Sequence, residues 1–178
     1  MIDQQPLGIA TMDDEGRWTV RFERRLRHDR DKVWHAITES QHLAHWLPTD
    51  IVGERRTGAT IELPFWPDHV AKYHLDPALM HGEIRVWDPP SVFEWTWETD
   101  RLRFELTPLH EGTLLTFTTW LGERGYCASK TAAGYHVCFA NLEELLDTGT
   151  VGTPLVDIDP TPVERRYEEQ VAAAAHPS

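Results

Sequence analysis

Arg24 makes the sharpest chemical demand in this sequence. It shares the parity of Phe22 and Leu26 in an alternating run, so its guanidinium is expected to point inward, where an unmatched charge costs too much to persist. The anion it needs is either a carboxylate on a bound molecule, anchoring one end of an apolar guest, or an internal partner such as Glu62, Glu94 or Glu105. Tyr135 and His136 form a second candidate pair. Imidazole titrates near neutrality and a phenol can stabilise an enolate, so the two could act as acid and base, although a solvated helix histidine needs no such role. His42 and His45 lie three apart, and His69, His74 and His81 follow. Imidazole is a good zinc ligand, but the spacing fits no metal motif and no metal site is expected. No nucleophile elbow, phosphate loop or dinucleotide fingerprint is present, which removes covalent catalysis and nucleotide cofactors from the expectation.

The other chemistry-bearing feature is aromatic. Eight tryptophans in 178 residues form walls for either a packed core or an apolar cavity, since large rings on a concave sheet serve both ends. Trp66, Tyr73, Trp97 and Tyr135 rank first as cavity walls, with Trp46, Trp95, Phe104 and Phe139 behind them. Core packing alone would account for any one of these rings, because full burial is worth on the order of 3 kcal/mol.

Several elements must position these groups. Trp18, Val20, Phe22 and Leu26 alternate with Thr19, Arg21, Glu23 and Arg25, which predicts a strand with one buried face. Asp29 and Ser40 then open two short helices carrying Val33, Trp34 and Ile37, and Leu43, Trp46 and Leu47. Ile51 to Leu63 reads as two extended arms about a Thr57-Gly58 turn, and Pro64 to Met80 reads as a loop. Strands are expected over Gly82 to Trp87, Val92 to Glu98, Arg101 to Thr107 and Thr113 to Leu121, with a hairpin at Thr99 and Asp100. Ser129 to Asp147 reads as a long helix with Tyr135, Cys138, Phe139, Leu142, Leu145 and Leu146 on one stripe, stopped by Gly149. Thr161 to Glu164 offers a capping box with Pro162 at the first helical position, predicting a short tail helix, packed back or against a second subunit in a homodimer.

The bulk numbers narrow the class. The length suits one α+β domain over residues 16–150, after a flexible segment at 1–15 and before a tail at 151–178. With 29 acidic against 17 basic residues the formal charge is −12, which disfavours nucleic acid and anionic membrane surfaces as partners. The first sixteen residues lack an apolar stretch, so neither a leader nor membrane insertion is expected, and a cytoplasmic location follows. Cys127 and Cys138 lack CxxC spacing and read as free thiols.

Four stretches then carry a family resemblance: Arg24 with His28 to Trp34; Leu43 to Leu47; Gly82-Glu83-Ile84 through Asp88-Pro89-Pro90; and Gly134-Tyr135-His136 through Leu142 and Leu145. Their order and spacing resemble the START-like (SRPBCC, Bet v 1-like) superfamily, and within it the subfamily named for activators of heat-shock-protein ATPase. The resemblance implies the helix-grip fold, a curved antiparallel sheet wrapped around a long C-terminal helix with a cavity between them. It does not imply one activity, because members resemble lipid, hormone or polyketide binders, cyclases and chaperone accessory domains. The expectation is a binding module for a small hydrophobic or amphipathic molecule in an internal cavity, without a cofactor and with no catalytic residue assigned. The rivals are an aromatase/cyclase-like enzyme using Tyr135, His136 and Arg24, and a chaperone ATPase accessory domain acting through its surface. Two departures stand out: Gly134-Tyr135 replaces the family's frequent Gly-Trp, and Pro64 to Met80 is longer and more aromatic than usual.

Overall fold

In the computed structural model, which describes residues 2–122 and 127–176, the chain forms one antiparallel sheet and five α-helices among the described residues. The strands are Ile9–Met12 (β1), Trp18–Leu26 (β2), Thr60–Pro64 (β3), Leu79–Asp88 (β4), Val92–Trp97 (β5), Asp100–Leu109 (β6) and Gly112–Trp120 (β7). They lie in the order β1-β2-β7-β6-β5-β4-β3. The helices are Arg30–Thr38 (α1), Ser40–Trp46 (α2), Pro67–Tyr73 (α3), Ala128–Thr148 (α4) and Thr161–Ala175 (α5). This is the α+β helix-grip arrangement, with α4 as the long helix held by the sheet.

Register explains why the sheet holds. Pairing places Phe22 opposite Phe117, Phe117 opposite Phe104 and Phe104 opposite Phe93, so four phenylalanines cross β2, β7, β6 and β5 in one inner row. The next row carries Val20, Thr119, Leu102, Trp95 and Ile84. A one-residue slip in any of these strands would send its rings to the outer face, which fixes the pairing. Between β4 and β5 the register shifts at Ile84 and Val86. Nearby, a Cβ on Gly82 would sit 1.8 Å from the Thr96 carbonyl oxygen, so only glycine fits there.

The expected helical stripe Tyr135, Cys138, Phe139, Leu142, Leu145 and Leu146 is buried against this face. The stop is also as expected: Gly149 takes φ +80 and returns its N–H to the Leu145 carbonyl at 2.8 Å.

Four elements differ from the sequence reading. Residues 1–15, read as flexible, contribute β1, which pairs with β2 from Ile9 opposite Arg21 to Met12 opposite Trp18. Ile51 to Leu63 yields one strand, β3, and only a single bridge from Val52 to Glu62 in place of the first extended arm. Pro64 to Met80 is not a bare loop, because Pro67 opens α3 and Leu79 and Met80 begin β4. The tail helix packs back on α4 and β1, and its Thr161 does not cap it: Thr161 donates its hydroxyl and amide to Asp159 at 2.6 and 3.0 Å.

Candidate functional site

Between the sheet and α4, where a hollow was expected, the described aromatic rings pack closely. Ring centroids lie 4.7 Å apart for Phe104 and Phe117, 4.7 Å for Phe117 and Tyr135, 5.1 Å for Phe117 and Phe139, and 6.1 Å for Trp46 and Phe139. An apolar, open cleft of about 270 Å³ lies at the rim, between α3, the first half of α4 and residues 155–160. Its walls include Tyr73, Trp97, Tyr135, Leu155 and Ile158, and among the described residues no Asp, Glu, Lys or Arg lines it. The volume falls just under the roughly 300–1,000 Å³ usual for drug-sized ligands, which suits a small guest.

Local sequence builds each wall. Trp66 anchors the start of α3 by donating its indole N–H to the Leu47 carbonyl at 2.8 Å, and Pro67 then presets the first helical φ. His74, in the left-handed region at φ 50, ends the helix and leaves Tyr73 at the lip, half exposed. On the opposite lip Leu155–Asp157 forms a single 3-10 turn. The lips are tied together: Lys72 Nζ and the Tyr73 hydroxyl (3.3 Å) both donate to the Val156 carbonyl, and Lys72 Nζ lies 3.4 Å from Asp157. Gly134 forms part of the α4 floor, and a Cβ there would meet nothing within 4 Å.

Of the predicted site residues, Tyr73, Trp97 and Tyr135 converge on this cleft. Trp46, Trp95, Phe104 and Phe139 are fully buried core rings, and Trp66 packs against the core as the brace for α3. The cleft also holds His69, weighed from sequence only as a zinc ligand. The residue is buried, at a relative exposure of 6%, and its Nδ1 lies 3.1 Å from Asp68 Oδ1. The signal that could have exposed it is Trp66-Pro67-Asp68, a helix start that places His69 in the first turn.

Arg24 does point inward, at 5% exposure, but its partner is none of Glu62, Glu94 and Glu105. It is Glu143 on α4, with Nε 3.0 Å from Oε1. Glu94 and Glu105 occupy the outer face with Arg103, 2.8 Å from Glu94 and also bonded to Glu105, and the alternation of β5 and β6 keeps them there. The approach to Glu143 is charge to charge, since neither Nε nor that oxygen is aligned for a hydrogen bond. Burial pushes the Arg24 guanidinium below its ordinary value, against the pull of Glu143. Burial likewise pushes the Glu143 carboxyl up, with Arg24 only partly offsetting it.

His136 is fully buried on the side of α4 that α5 covers, which is why sequence reading left it open to solvent. Its Nε2 meets the Ile2 carbonyl at 3.0 Å and so must donate, leaving Nδ1 to accept from the Tyr167 hydroxyl at 2.9 Å. Tyr167 in turn accepts the Gly8 amide at 2.8 Å. The relay binds both ends of the chain to α4. Arg24, Tyr135 and His136 therefore do not share one site, because Arg24 faces Glu143, His136 joins the terminal relay and Tyr135 alone lines the cleft.

The profile of the family described as "Activator of Hsp90 ATPase homolog 1-like protein" matches residues 27–147. The chain belongs to this family. No curated protein sequence matches it. Among solved structures it is similar to a conserved protein of unknown function from Enterococcus faecalis, at 19% identity, covering 94% of this chain and 91% of that one with a TM-score of 0.76. It is also similar to CalU16 from Micromonospora echinospora, at 17% identity, 97% and 98% coverage and a TM-score of 0.65. A protein from Mesorhizobium loti matches at 23% identity over 72% of this chain and 96% of its own, with a TM-score of 0.58. At these identities the likeness concerns the fold.

The segment shared with the activator of Hsp90 ATPase homolog 1-like family supplies α3 and α4, two walls of the cleft. The third wall, residues 155–160, lies beyond it, as do Arg24 and Tyr167. A larger groove of about 880 Å³ runs between α1, α2 and the end of α4. Its walls mix Ala36, Leu145 and Leu146 with the charged or polar Lys32, His35, Glu39 and His42, and Glu39 lies 2.7 Å from His35 and 3.6 Å from His42. Among the described residues no group of three or more His, Cys, Asp or Glu side chains could hold a metal ion, and no helix is long and apolar enough to cross a membrane.

Proposed function

We propose that the chain binds a small apolar molecule in the cleft between α3, α4 and residues 155–160. The supporting observation is the cleft's composition: mostly aromatic and aliphatic walls with no formally charged side chain among the described residues, on a protein of formal charge −12. A guest that covers Tyr73 and the edge of Trp97 gains roughly 25 cal/mol for each Å² of apolar surface removed from water. Only three of the ten residues expected to bind take part, so the guest is held at the rim and not inside the core.

Gly134 supplies the test. A leucine there finds open space, projects into the cleft and adds helix propensity worth about 0.5–1 kcal/mol. Titration calorimetry with 2-methylnaphthalene is expected to show binding to the wild type and none to Gly134→Leu, whose thermal midpoint stays the same or rises. Equal binding by the two proteins would place the guest elsewhere and end this reading. A chaperone accessory role, suggested by the family's name, makes a different prediction: the purified chain would accelerate an Hsp90 ATPase, and Gly134→Leu would do so equally well.

A further inference from the structure

Resting on the cleft as a binding site, we propose that His69 selects its guest: an uncharged molecule of one or two rings that carries a hydroxyl donor. The argument starts at Asp68. One of its carboxylate oxygens accepts the His69 backbone amide at 2.9 Å and lies 3.1 Å from His69 Nδ1. An ionised carboxylate can only accept, so Nδ1 must carry the ring proton. Burial works against the charge on Asp68, but the ring and backbone N–H groups of His69 outweigh it and hold the carboxyl below its ordinary value.

The opposite nitrogen is thereby fixed as a lone pair in the neutral ring. Nε2 has no hydrogen-bond partner among the described residues. The His69 side chain is 7% exposed, and the residue is one of those that line the cleft. Tyr73 holds the ring plane from the side, with centroids 6.2 Å apart at 39°. An oriented acceptor in a largely apolar wall discriminates, because a hydroxyl leaving water can regain its hydrogen bond there while Leu155, Ile158 and Val137 offer none; the hydroxyls of Thr131, Tyr73 and Tyr135 are the other side-chain oxygens among the described lining residues. Carboxylate guests are disfavoured, since among the described residues no Lys or Arg lines the cleft.

The experiment compares 2-naphthol with 2-methylnaphthalene, which match in shape and differ in the donor. Calorimetric titration is run at pH 8, where imidazole is generally uncharged. The wild type is expected to bind 2-naphthol about tenfold more tightly, the scale of one well-made hydrogen bond. In His69→Phe that ratio is expected to fall to one or below. On the wild type itself, the Nε2 resonance of His69 should shift with 2-naphthol and stay still with 2-methylnaphthalene, which needs no variant to fold. Asp68→Ala reports positioning: the Nδ1–H tautomer loses population in the nitrogen spectrum, and the preference for 2-naphthol shrinks with it. Binding of 2-methylnaphthalene without any preference for 2-naphthol, or a preference that survives in His69→Phe, overturns the role of His69 alone. Binding of neither probe overturns the cleft as well.

Discussion

Replacing Glu143 by leucine should cost far more stability than replacing its partner Arg24 by methionine. Arg24 is 5% exposed and, without Glu143, keeps among the described residues the Glu23 carbonyl at 3.0 Å, the face of Phe22 at 5.4 Å and the electrostatic pull of Tyr167. Breaking a fully buried pair typically costs about 3–5 kcal/mol, because the surviving charge is stranded. The Glu143 side chain is 29% exposed, so water already screens part of the interaction, and the expected cost for Glu143→Leu is about 2–3 kcal/mol. In a domain of this size that lowers the thermal midpoint by roughly 4–12 °C. Arg24→Met should cost about 1 kcal/mol or less, because the remaining carboxylate can turn to water. The double variant Arg24→Met/Glu143→Leu should recover to wild-type stability or exceed it by about 1–2 kcal/mol, since both pKa directions say that burial costs more than pairing returns. The linkage sign agrees. A carboxyl whose folded value is raised binds its proton more readily when folded, so its contribution to stability rises as pH falls through the folded value and is complete below about 4.5. Urea unfolding of the four proteins of the cycle provides the assay. A Glu143→Leu cost below about 0.5 kcal/mol, or a double variant no more stable than Glu143→Leu, would refute the reasoning.

Three further outcomes are expected. Tyr167→Phe strands the Gly8 amide and His136 Nδ1, costing about 2 kcal/mol and speeding amide hydrogen exchange at Gly8, both read against the wild type. Gly82→Ala must part β4 from the Thr96 carbonyl and should cost about 3 kcal/mol, seen as a drop of roughly 6–12 °C in thermal midpoint. Native protein at pH 8 should react with one equivalent of a disulfide reagent and urea-unfolded protein with two: Ser129 and nearby amides draw the exposed Cys127 thiol down, whereas burial pushes Cys138 up to about 12.

The elements with a strict period were legible. The β2 alternation and the α4 stripe follow from side-chain spacing alone, and Gly149 marks the helix stop. Arg24's inward direction was legible for the same reason, yet Glu143 was not, because parity names a face while the partner depends on how α4 crosses the sheet. β1 escaped because four residues are too few to show a period, and its pairing depends on α5 packing from the other end of the chain. The same long-range packing hid His136. At the cleft, Tyr73, Trp97 and Tyr135 could be named from ring size, but so could Trp46 and Phe139, and only the crossing of elements separates a wall from the core. His69 was hidden because Pro64 to Met80 carries no period.

The hydrogen bond from Gly8 to Tyr167 spans 159 positions of sequence, and that span sets a schedule for biosynthesis. At roughly 5–20 residues per second, translation leaves the first strand without its cover for most of the chain's emergence. A polypeptide that stalls before residue 167 cannot complete the clasp, whatever its central sheet has achieved. Until then Ile9–Met12 lacks the helix that packs on it, and a protease meets it more readily.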